Sequence, residues 1–73
     1  MSIFQFLNLL DEKRISYRLE RVRDSIMVEI AAPGERWEVE FFEDGRIETE
    51  RFATTAEIRG EESLAELFEK LGE

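Results

Sequence analysis

The chain has no cysteine, no histidine and a single proline, Pro33. Without cysteine there is no disulfide framework, no thiolate nucleophile and no thiolate metal site. Without histidine the chain lacks the commonest general base, the commonest metal ligand and the usual pH switch. Long apolar runs are also missing. The most apolar stretch, Ile3 to Leu10, is interrupted by Gln5 and Asn8 and is too short to span a bilayer. It has no basic flank of the kind a signal peptide carries, so a cytoplasmic location is expected. Positive charge is scarce as well, with 10 Lys/Arg against 18 Asp/Glu and a net charge of -8.

The excess negative charge is unevenly placed. Residues 1–36 carry six Lys/Arg and six Asp/Glu, whereas residues 37–73 carry four and twelve. Such a balance disfavours nucleic acid and anionic membranes as partners and favours solubility or a basic protein partner. Seventy-three residues make one domain, 1–73, whose small core must use most of its apolar side chains.

The clearest local signal is Trp37 to Ile47. Trp37, Val39 and Phe41 alternate with Glu38 and Glu40, the period of a half-buried strand. Asp44-Gly45 marks the turn. A two-residue loop there would set Phe41 opposite Glu48 and mix core with solvent residues. A three-residue loop, Glu43-Asp44-Gly45, sets Phe41 opposite Ile47 and Val39 opposite Thr49, with Gly45 in a left-handed bulge position. The second register is the self-consistent one. It also sets Glu40 opposite Glu48 and Glu38 opposite Glu50, although like charges across a ladder are destabilising.

The rest of the chain follows from periodicity. Ser2-x-x-Gln5 fits a capping box ahead of a helix from Ile3 to Arg14, with Ile3, Phe6, Leu7 and Leu10 on its apolar stripe. Residues 15–22 read as a first strand, 26–30 as a second and 46–52 as a fourth. Pro33-Gly34 closes a hairpin that pairs Ile30 with Trp37, Val28 with Val39 and Ile26 with Phe41. Residues 53–60 show no period and read as a connection, with Ile58 at the edge of the core. A second helix spans 61–71, with Leu64, Leu67, Phe68 and Leu71 inward and Gly72 past its end. The expected fold is α+β, α-β-β-β-β-α: a four-stranded antiparallel meander with both helices packed on one face.

The other face would carry a carboxylate ladder. A two-residue Asp24-Ser25 loop in the first hairpin sets Glu20 opposite Glu29. Glu20, Glu29, Glu38 and Glu50 then form one row, with Val22, Met27, Glu40 and Glu48 beside it. The simplest reading is a solvated face screened by Arg18, Arg36, Arg46 and Arg51. The sharper reading is a docking surface for a basic protein, with Met27 and Phe42 as apolar contacts among Glu20, Glu29, Glu38, Glu40, Glu48 and Glu50. No Asp/Asn/Gly-rich calcium loop, no Gly-rich phosphate loop and no nucleophile–base pairing is present, so neither a cofactor nor an enzyme is expected. Arg14, Arg18, Arg21 and Arg23 cluster around the first strand, where charge at a sheet edge blunts edge-to-edge pairing. Alternatively, that basic edge meets the acidic half of a second copy; the expected state is a monomer or a weak homodimer.

The segment Pro33-Gly34-Glu35-Arg36-Trp37-Glu38-Val39-Glu40-Phe41-Phe42-Glu43-Asp44-Gly45, with Ile15 to Glu20 before it, resembles short uncharacterised bacterial proteins of similar length. That resemblance implies a bacterial α+β protein and assigns no activity or site residue. In size and charge alone the chain is also similar to inhibitor- or immunity-like proteins and to nucleic-acid mimics.

Overall fold

A computed structural model describes residues 1–32, 34–52, 57–61 and 64–71. The elements are α1 (Ile3–Glu12), β1 (Tyr17–Val22), β2 (Ser25–Ala32), β3 (Glu35–Phe42), β4 (Ile47–Phe52), β5 (Glu57–Gly60) and α2 (Leu64–Leu71). The strands form one antiparallel sheet in the order β1-β2-β3-β4-β5. The α+β architecture of a meander between two helices is therefore present. Among the described residues no helix is long and apolar enough to cross a membrane.

The chain gains a fifth strand where a connection was expected. Glu57–Gly60 pairs with β4, setting Glu48 opposite Gly60 and Glu50 opposite Ile58. Four residues with one apolar side chain give no period to read, so this strand is defined by the edge that β4 offers. Ile58, expected at the core edge, holds a register position in the row of Glu50. Its side chain lies outside the described residues, as do Pro33 and Gly72.

Helix α1 starts as its capping box dictates. The Ser2 hydroxyl accepts from the Gln5 N–H at 3.2 Å, and the Gln5 side chain accepts from the Ser2 N–H at 2.8 Å. It stops two residues earlier than expected. Lys13 is the C-cap, and Arg14 takes a left-handed conformation with φ 59°. The Ile15 N–H then reaches back to the Leu10 carbonyl at 2.9 Å and the Arg14 N–H to Asp11 at 3.0 Å. This is a Schellman ending in which arginine replaces the usual glycine, and it brings Ile15 beside the core. Helix α2 begins at Leu64, with Glu61 ahead of it.

Both helices cover the same face. Phe6 and Leu10 of α1, Leu64 and Leu67 of α2, and Val28, Ile30, Trp37, Val39, Phe41 and Ile47 of the sheet form one buried cluster. Phe6 lies at its centre, 5.4 Å from the Phe41 ring and 5.6 Å from the Phe68 ring. Tyr17 and Leu19 share this face of the sheet; Tyr17 packs against the core, whereas Leu19 is 53 % exposed.

Candidate functional site: the open sheet face

The central hairpin adopts the three-residue loop. Phe41 pairs with Ile47, Val39 with Thr49, Glu40 with Glu48 and Glu38 with Glu50. Gly45 has φ +89°, and Phe42 and Arg46 close the loop through the Phe42 N–H to the Arg46 carbonyl at 2.9 Å. The second hairpin places Glu29 opposite Glu38 and Met27 opposite Glu40. Glu29, Glu38, Glu40, Glu48 and Glu50 therefore meet on the face that the helices leave open.

The first hairpin corrects the expected ladder. Its two-residue loop is Arg23-Asp24, with Arg23 at φ 54°, and Val22 pairs with Ser25. The strand shifts by two residues. Glu20 consequently lies opposite Met27, and Arg18 lies opposite Glu29. The row of four glutamates becomes Arg18, Glu29, Glu38 and Glu50, while Glu20 joins Met27, Glu40 and Glu48. Ser25 is drawn into the sheet instead of the turn. It is buried, with its hydroxyl 2.8 Å from a Glu40 carboxylate oxygen and 3.0 Å from the Val22 carbonyl.

Across β3 and β4 the open face has an ordered sequence of pairs. Phe42 faces the Arg46 end, then come Glu40/Glu48, Glu38/Glu50 and finally Arg36/Phe52. Arg46 stacks 4.1 Å over the Phe42 ring, and Arg36 stacks 4.5 Å over the Phe52 ring. An acidic block is thus bracketed by two cation–π pairs. Phe52 and its stack were not anticipated, although the same register that pairs Glu38 with Glu50 already sets Arg36 opposite Phe52. Each bracketing arginine also reaches the next glutamate on its own strand, Arg36 to Glu38 at 3.4 Å and Arg46 to Glu48 at 3.5 Å. Arg18 approaches Glu29 at 3.7 Å. Arg51 does not join this screen. It points to the helix side and pairs with Glu35 at 3.3 Å and Glu66 at 3.1 Å.

The carboxylates are less solvated than a bare surface would leave them. The Glu38 side chain is 19 % exposed, and a shallow depression of about 90 Å³ is lined by Glu38, Glu40, Glu48 and Glu50. Burial pushes the Glu38 pKa above its ordinary value. The Glu50, Glu29 and Glu40 charges push the same way, and Arg36 opposes them without winning. Comparisons with protein-family models, curated proteins and solved structures give no match. Among the described residues no three acidic side chains are grouped to hold a metal ion. Chemically, the face presents fixed, partly desolvated carboxylates framed by aromatic rings.

The raised Glu38 pKa fixes the sign of one prediction. The fold holds the Glu38 proton more tightly than the unfolded chain does. Stability from this group is complete below the ordinary value of 4.5 and is lost as pH rises through the folded value. Glu38→Gln is therefore expected to be more stable than the native chain at pH 7, by roughly 0.2–1 kcal/mol on the scale of cross-strand like-charge pairs. The gain should vanish below the ordinary glutamate range. Urea titrations at pH 7 and pH 3.5 check it, and a variant less stable at pH 7 refutes it.

Proposed function

We propose that the protein is a small, non-catalytic interaction module that docks a basic protein partner through its open sheet face. The observation that carries this reading is the acidic block itself. Glu29, Glu38, Glu40, Glu48 and Glu50 are held together against their mutual repulsion and are partly desolvated before any partner arrives. A cationic side chain entering between them relieves that repulsion. Complementary charge of this kind sets partner choice and association rate. Met27, Phe42 and Phe52, half-buried among the charges, supply apolar contacts. Glu20 stands at the sheet edge beyond Met27, apart from the central block.

Tagged protein incubated with lysate of its host is expected to retain a basic protein that elutes as salt is raised, since screening weakens charge pairing. Glu38→Lys combined with Glu50→Lys should fold, as checked by circular dichroism, and retain none of it. Undiminished retention by that double variant would sink the proposal.

A further inference from the structure

We propose that β1 is a self-recognition edge, through which two copies of the chain pair antiparallel in one register and continue a single sheet across a two-fold axis. Among the described residues strand β1 has β2 as its one sheet neighbour, and its residues from Arg18 to Val22 are exposed. The alternation of backbone groups along it can be worked out. The Glu43 N–H donates to the Asp24 carbonyl at 3.0 Å, so even-numbered residues of β2 point their backbone groups toward β3. Odd-numbered residues of β2 point toward β1, where they meet Arg18, Glu20 and Val22. The backbone groups of Tyr17, Leu19 and Arg21 therefore face outward and are available to another strand.

The side chains select the second strand. A two-fold axis normal to the sheet keeps both helix layers on one side, and it requires residues of the same face to lie opposite each other. One register sets Leu19 opposite Leu19 of the other copy. Arg18 then faces Glu20 of the other copy, and Glu20 faces Arg18. Tyr17 faces Arg21. A slip of two residues in one direction sets Arg18 against Arg18, and in the other direction Glu20 against Glu20. Like charges opposite each other are destabilising, so of these three registers the edge charges favour the first.

Two further features fit. Leu19 is the large apolar side chain left 53 % exposed on the helix face, and pairing covers it with its own copy. The Arg18 side chain is 86 % exposed and touches Glu29 only at 3.7 Å, so it is free to turn toward a second carboxylate.

Sedimentation equilibrium up to about 1 mM, the weak end of specific association, is expected to show a monomer–dimer equilibrium. Arg18→Glu alone and Glu20→Arg alone should each be monomeric, because each sets like charges across the seam. Mixed together, the two variants should form a heterodimer, since every seam pair is then of opposite sign. Leu19→Pro removes an outward N–H without touching a bond to β2 and should also give a folded monomer. A native chain that stays monomeric overturns the proposal. So does a native dimer that survives either single charge reversal, or a mixture of the two that fails to associate.

Discussion

Phe6→Ala is expected to cost about 3–5 kcal/mol, the range for deleting a buried aromatic ring. Domains of this size sit toward the low end of native stabilities of about 5–15 kcal/mol, so the variant should be substantially unfolded near room temperature. The reason is geometric. Phe6 is fully buried and contacts Phe41 in the sheet and Phe68 in α2, so one ring joins three elements. Removing it opens a cavity that neither helix can close without leaving the other. Urea denaturation followed by circular dichroism measures the loss, with Phe6→Leu as the milder companion. An unchanged midpoint for Phe6→Ala would show that the two helices do not depend on this contact.

Arg51→Ala should be the most damaging charge deletion, at about 2–5 kcal/mol. Most ion pairs among the described residues lie at the surface, where a pair contributes little. Arg51 differs. It sits on the helix-covered side of β4, opposite Trp37, and bridges Glu35 of β3 to Glu66 of α2. The Glu35 side chain is only 7 % exposed, and it also accepts from the Trp37 indole N–H at 3.1 Å. Deleting the guanidinium removes a cation from beside that carboxylate in the core margin. Neutralising both partners, as Arg51→Met with Glu35→Gln, should recover part of the loss. If the double variant is as unstable as the sum of the singles, the two side chains are not coupled as described.

How much of this could be read from residues depends on where the information lies. The α1 start was legible because Ser2 and Gln5 form a reciprocal pair at fixed spacing. The register of the two central hairpins was legible because three apolar residues on β3 must match inward residues on both neighbours. The acidic block follows from that register alone, so its central members were found. The first hairpin was misplaced because Asp24-Ser25 is the stronger turn signal by composition, whereas the chain turns at Arg23-Asp24 and uses the Ser25 hydroxyl inside the sheet. Nothing in an arginine announces a positive φ, so the turn at Arg23 and the helix ending at Arg14 could not be anticipated. Arg51 was assigned to the acidic face as one more screening charge. Strand parity puts it on the other side, and a polar residue at an inward position was the sign that a buried network lay there. Strand β5 has no local signal, since its pairing is supplied by β4.

Every neighbour in the sheet is also the next strand in the chain, from β1 through to β5. Each strand can find its partner by closing a short hairpin, without waiting for a distant segment. Loop-closure entropy is therefore small at every pairing step, and the topology belongs to the class with low contact order. The helices come from opposite ends of the chain and pack over the assembled sheet, Phe6 meeting both Phe41 and Phe68. The meander can thus be built locally and in order, with the packing of the helices as the long-range steps that complete the core.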